Sequence, residues 1–395
     1  MNRWLLPALS ALLLLASCRP QQPGDTLHPL LDRVQGSFDW VLSREAQHQR
    51  APDAWPFVQQ LMQARVVQIL GAYLEGSPEH IFGRVIDAAF DPQGRIAVLD
   101  RANGEVRFFD SAGRFLFKVG RAGEGPGEFD RPERLAFDGQ GRLYVLDGGR
   151  RIQRFRPAND TLFVLDHTYS LFEQLGASVQ GFCLIDDTLY VRTMPLAWWE
   201  QPIVHVLTLT GKEIRAFGLL DFYPPNLFDT EIYQILQTLV GEAQLYCDPY
   251  TPGILLMYPY FGVIAYYSTQ GIRQWRVRFG DPPLMAHKLT ERGGMPVLRP
   301  RGFVIHNVLP LPGGQVLIHG AFQVMRSDDP FTAASIEEYV YVLDPHRQSW
   351  GWTAISFPFF KIYRIIGSQI LGRKRGEQAP HVALFQWEMP TVPAP

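Results

Sequence analysis

Two stretches of this chain, Ala88–Asp100 (AAFDPQGRIAVLD) and Leu135–Asp147 (LAFDGQGRLYVLD), share nine of thirteen residues at an offset of 47 positions. Each is a pair of short apolar runs around a glycine turn. A repeat of about 40–50 residues with this pattern is the unit of a β-propeller blade. Such a unit cannot bury both faces of its sheet alone, so its neighbours stack around an axis. The repeat constrains architecture strongly and chemistry hardly at all.

Followed along the chain, the rhythm gives six blades of four antiparallel strands. Blade 1 runs over Val85–Val119, blade 2 over Arg134–Leu165, blade 3 over Gly181–Phe217, blade 4 over Gln244–Phe279 and blade 5 over Val304–Ile355. Blade 6, from Arg364 to Trp387, has three strands and lacks a fourth. Val66–Gly71 (VVQILG) and the GSPEHIF after it parallel Leu116–Gly120 and the GPGEF that follows soon after. The segment reads as an outer strand that pairs with the C-terminal blade and closes the ring, leaving no open sheet edge. The expected fold is all-β, a six-bladed propeller over residues 65–390, with 391–395 as a tail. Ahead of it, Leu30, Leu31, Val34, Phe38, Val41 and Leu42 recur at near-helical spacing, and Phe57–Ala64 is a second candidate. Residues 29–64 therefore read as a helical extension packed on the ring.

The chain begins with a basic Met1-Asn2-Arg3, an apolar run over Trp4–Ala16, and then Ser17-Cys18. This describes a secretory signal over residues 1–17. It is short of the roughly 20 apolar residues that a spanning helix needs. Cys18 directly after Leu-Ala-Ser resembles the bacterial lipobox. The resemblance implies cleavage before Cys18, acylation of its thiol and amine, and a lipid anchor in the bacterial cell envelope. Residues 18–28, rich in proline and polar side chains, read as a tether. A formal net charge of −2 argues against a nucleic-acid partner. Cys183 and Cys247 fit no zinc spacing and fall on the inner strands of sequential blades. A disulfide and two buried thiols are both compatible with that placement.

Gly123–Phe155 reads GEGPGEFDRPERLAFDGQGRLYVLDGGRRIQRF. The glycine-rich loop ending in Phe129, Pro132, Ala136-Phe137-Asp138, Gly141 and Tyr144-Val145-Leu146-Asp147 resemble the NHL-repeat type of six-bladed propeller, a relative of the TolB-like type. Blades 1 and 2 carry the resemblance and the others keep only its rhythm. The whole chain resembles bacterial envelope lipoproteins of this architecture. The resemblance implies the fold and a general binding role, without fixing one activity.

Candidate sites follow from the expected ring. Aligning the blades puts Asp87, Arg134, Gln180, Gln244, His306 (or Asn307) and Arg364 at the mouth of the central channel. All are polar where a buried strand is otherwise apolar. They either receive a polar or acidic group or satisfy one another at the axis. On the same face, Gly218–Ala243, Met194–Pro202, Gly280–Gly302 and Phe322–Glu338 read as long loops. Trp198, Trp199 and Tyr223 are the apolar anchors expected to meet a protein, peptide or glycan there. Gly120–Gly127 lacks the Lys-Ser/Thr ending of a phosphate loop and precedes a strand. The histidines are dispersed, and no Gly-x-Ser-x-Gly elbow is present. The first expectation is a lipid-anchored, non-catalytic binding module with no cofactor or metal. The alternative is a metal-dependent lyase or lactonase with its chemistry around Asp87, His306 and Asn307.

Overall fold

The computed structural model describes residues 26–28, 38–42, 55–71, 76–194, 201–220, 240–279, 284–288, 297–325, 333–354 and 357–388. The strands form six sheets, one per blade. The inner strands, here called a, are Val85–Phe90, Pro132–Phe137, Ser178–Ile185, Gln244–Cys247, Val297–Pro310 and Phe359–Ile366 in blades 1 to 6. Strands b, c and d follow outward in each blade. In blade 6, the outermost strand is Arg65–Leu70, which runs antiparallel to Val382–Gln386. The chain therefore closes its own ring with a strand from before blade 1.

The repeat is explained by backbone needs. Asp91 and Asp138 each begin the turn between strands a and b. Their carboxylates accept N–H bonds from Gln93 and Arg95, and from Gln140 and Arg142, at 2.8–3.0 Å. Gly94 and Gly141 complete these turns at φ +77° and +75°, where a side chain is strained. At the other end of strand b, Asp100 accepts the N–H groups of Gly83 and Arg84, and Asp147 accepts that of Arg131. Each ties the connection entering its blade. The apolar residues between these aspartates pack blade on blade. Leu99, Val106 and Phe108 of blade 1, for example, share a core with Leu135, Leu143 and Phe155 of blade 2.

Cys183 and Cys247 form a disulfide, Cα–Cα 5.7 Å, between the inner strands of blades 3 and 4. It closes a 64-residue separation, and such links typically add about 2–4 kcal/mol.

The N-terminal segment departs from the expected helical extension. Trp55–Met62 is a helix, and its Val58 and Leu61 are buried against Leu311, Val340 and Phe359 of blades 5 and 6. Trp40–Leu42, however, is a strand, parallel to Val277–Phe279 on the outer edge of blade 4. Asp39 leads it in, accepting the Arg276 N–H at 2.6 Å and donating its own N–H to the Arg276 carbonyl at 2.8 Å. An open edge nearby outweighs a near-helical spacing of apolar residues. Thr26–His28, in the stretch read as tether, pairs with Met285–His287. In two expected loops of blade 5 the described residues are strand as well. Val297–Pro310, Val316–Met325 and Ala333–Asp344 extend the blade into a ribbon, with Leu284–Lys288 alongside. Cys18, Trp198, Trp199 and Tyr223 lie outside the described residues.

Candidate functional site: the mouth of the central channel

The inner strands share one irregularity. In blades 1, 2, 3, 5 and 6 the ladder between strands a and b skips a residue, at Ile86, Glu133, Gln180, His306 and Tyr363. A bulge of this kind re-aims the side chains beside it. The residue after each bulge is Asp87, Arg134, Gly181, Asn307 or Arg364. Gln244 takes the matching place in blade 4, three residues before the strand ends, as Asp87, Arg134 and Asn307 are in theirs. This corrects the expected ring at blade 3 and decides between the two residues expected at blade 5. In blade 3 the equivalent position is Gly181, which offers no side chain. Gln180 is the bulge itself and donates to Ser178 Oγ at 3.1 Å. In blade 5 the equivalent is Asn307, with His306 as the bulge.

The channel holds two chambers. The upper one, of about 520 Å³, is lined by Asp87, Arg134, Gln244, His306, Lys361 and Arg364, with Tyr246, Tyr260 and Tyr363. The lower one, of about 280 Å³, is lined by Phe90, Phe137, Phe182, Leu245 and the disulfide. Arg134, Tyr246, Asn307 and Arg364 border both and form the waist. The upper volume falls within the roughly 300–1,000 Å³ of small-molecule sites.

Three of the polar side chains stitch blades together. Asp87 is buried and accepts the N–H of Leu135 in blade 2 at 3.1 Å. Arg364 of blade 6 pairs with Asp87 at 3.4 Å, and its second partner is the Leu135 carbonyl at 2.8 Å. Asn307 of blade 5 accepts the Ile362 N–H of blade 6 at 3.3 Å and contacts His319 Nδ1 at 3.1 Å. Gln244 accepts the Tyr246 hydroxyl. Arg134 is different. Among the described residues its half-buried guanidinium has no hydrogen bond or ion pair, although it stands at the same position as Asp87.

Sequence reading missed Lys361, which is exposed to the chamber and contacts the Ile86 carbonyl at 3.4 Å. The walls around it hold its pKa below the ordinary lysine value. Desolvation contributes most, and the charges of Arg134, Arg373 and Arg364 add to it against the pull of Asp87. Lys361 was hidden because residues 361 and 364 face opposite ways in a regular strand. The bulge at Tyr363 rephases the strand and turns both cations to the channel. The other missed cation is Arg192, 2% exposed on strand b of blade 3. It donates one bond, to the Gly241 carbonyl at 2.9 Å, while its Nε and Nη1 have no partner. Burial, chiefly, lowers its pKa to about 10.

His306 is neutral at ordinary pH. Its pKa is pushed down to about 4, first by desolvation and then by His319. No group of three or more His, Cys, Asp or Glu able to hold a metal occurs among the described residues. Around the expected metal trio, Asp87 and Asn307 are engaged by backbone N–H groups, so the arrangement is that of a stitched ring.

A family model described as a 6-bladed beta-propeller, DUF5128, matches residues 76–157. No curated protein matches the chain. Among solved structures, a protein of Bacteroides fragilis described as exported aligns at 10% identity and TM-score 0.50, covering 82% of this chain and 94% of that one. A member of the DUF4221 family from Bacteroides vulgatus aligns at 9% identity and TM-score 0.50, covering 82% and 97%. At these identities the likeness is one of fold. The chain is a six-bladed β-propeller whose inner strands carry a bulged polar ring at one channel mouth.

Proposed function

We propose that the protein is a binding module of the bacterial envelope that takes a small ligand in the upper chamber and has no catalytic role of its own. The observation that carries this reading is Arg134. Its register partners Asp87, Asn307 and Arg364 all hold neighbouring blades together, whereas its guanidinium faces a chamber of about 520 Å³ without a partner among the described residues. Ring stability does not call for a cation there. A rigid ring that presents an unengaged arginine in a concave, partly aromatic site has the make-up of a ligand pocket. On this reading the lipid at Cys18 holds the propeller to the membrane. On the same reading Trp198, Trp199 and Tyr223 are the apolar anchors for a protein, peptide or glycan partner. The exported relative of the same fold in Bacteroides fragilis and the Leu-Ala-Ser-Cys sequence support an exported, anchored location.

The test is a ligand-observed NMR screen of small polar metabolites. Hits should disappear with Gln244→Trp, which fills the upper chamber, and persist with Ile366→Gln, at the lower rim. Hits that bind both variants alike contradict the upper chamber as the site.

A further inference from the structure

The upper chamber is electrically lopsided. Blades 6, 1 and 2 supply Lys361, Arg364, Asp87, Glu133 and Arg134, with Arg373 close to Lys361. Blades 4 and 5 supply the neutral Gln244, Tyr246, Tyr260 and His306, with the exposed Glu242, just ahead of blade 4, as the carboxylate on that side. The carboxylates do not cancel the cations of the first side. Asp87 is engaged by Arg364 and two backbone N–H groups. Glu133 pairs with Arg131 at 3.3 Å. Glu242 is exposed at the rim and lies near the buried Arg192, whose charge acts on Arg134 from behind. Arg134 and Lys361 remain, on either side of the Asp87–Arg364 pair, and among the described residues neither makes an ion pair, although the charge of Asp87 acts on Lys361. Cations crowded in a concave wall of low dielectric focus a positive potential. An arginine fork beside a lysine is a recognised arrangement for oxyanions.

We propose that the upper chamber binds the oxyanion of a small organic molecule, a carboxylate or a phosphate monoester, between Arg134 and Lys361, with the uncharged body of the ligand lying towards Gln244, Tyr246 and His306. The proposal rests on the chamber being the ligand site and adds the class and orientation of the ligand. The acid end faces blades 6, 1 and 2. Neutral hydrogen-bonding groups and aromatic rings of blades 4 and 5 receive the rest. The same oxyanion chemistry serves a carboxylate and a phosphate, and the two are separated by experiment.

Calorimetric titrations with phenyl phosphate and phenylacetate, set against the uncharged phenylacetamide, test this on the intact protein. Both acids should bind at least about tenfold more tightly than the amide, the step expected of a charge-assisted contact. Arg134→Gln and Lys361→Gln should each weaken the acids about tenfold and leave the amide unchanged. Arg134→Lys should restore part of the loss. Among the described residues Arg134 makes no bond that a glutamine removes and Lys361 only the long 3.4 Å contact with the Ile86 carbonyl, so melting temperatures that change little accompany the result. The larger loss of the two ligands identifies the preferred oxyanion. The proposal is overturned if the acids bind no better than the amide, if they do not bind, or if the double variant binds them like the native protein. Amide binding that Gln244→Trp abolishes keeps the chamber as a ligand site without an anion. Probe binding that Gln244→Trp leaves intact removes the chamber itself.

Discussion

Asp87 and Arg134 stand 47 residues apart in the two clearest repeats, each directly after a bulge on the inner strand of its blade. One is buried and joined to both neighbouring blades, through Leu135 on one side and Arg364 on the other. The other has no side-chain bond among the described residues and lines the chamber. The surrounding turns are the same, because Asp91 and Asp138, Gly94 and Gly141 do the same work in each. A repeat therefore preserves what the backbone needs and leaves the channel position free. At that position one residue has gone to holding the ring and another is open to a ligand.

The largest effect that sharpens this contrast lies in ring closure, the extreme case of a contact between blades. A chain starting at Gly76 lacks Arg65–Leu70 and exposes the edge of Val382–Gln386. It should fail to fold cooperatively, as read by circular dichroism melting. A truncated chain that melts like the intact protein breaks the closure account.

Next in size is the comparison itself. Asp87→Ala removes a buried acceptor of a backbone N–H and the partner of Arg364. The cost should be about 3 kcal/mol in urea unfolding. Arg134→Gln should stay within about 0.5 kcal/mol of the native protein. Equal losses from the two would mean that Arg134 also holds the ring.

Much of this was legible before the structure. The repeat set blade length, and VVQILG betrayed the closing strand because it and the GSPEHIF after it parallel Leu116–Gly120 and the GPGEF that follows soon after. The polar character of the channel mouth could be read too. Its detail could not, since a bulge shifts every later side chain to the opposite face. That shift put Gln180 in the ring in place of Gly181, left His306 and Asn307 undecided in blade 5, and hid Lys361. The pairing of Trp40–Leu42 with blade 4 and of Thr26–His28 with Met285–His287 was illegible for another reason. Local spacing carries no information about a distant open edge.

The smallest effect concerns His306 on the neutral side of the chamber. Its folded pKa of about 4 lies below the ordinary histidine value of 6.5, so the unfolded chain takes up a proton between these values that the folded ring refuses. Stability should therefore fall as pH drops from about 6.5 towards 4. His319, Glu338 and Arg375 face the same ring. His306→Gln should lose less over that window, the difference being on the order of 2 kcal/mol at pH 4. Parallel pH profiles for the two proteins would place His306 in an open, solvated setting.

The most direct test follows individual guanidinium groups. In a titration with phenyl phosphate, the Arg Nε–Hε NMR signals of Arg134 and Arg364 can be assigned from Arg134→Gln and Arg364→Lys. The account predicts that the Arg134 signal, in rapid exchange with water when free, sharpens and shifts to saturation, while the Arg364 signal, already bonded, stays in place. An Arg134 signal that does not respond, or an Arg364 signal that moves instead, contradicts the division between the residue that holds the ring and the residue that meets the ligand.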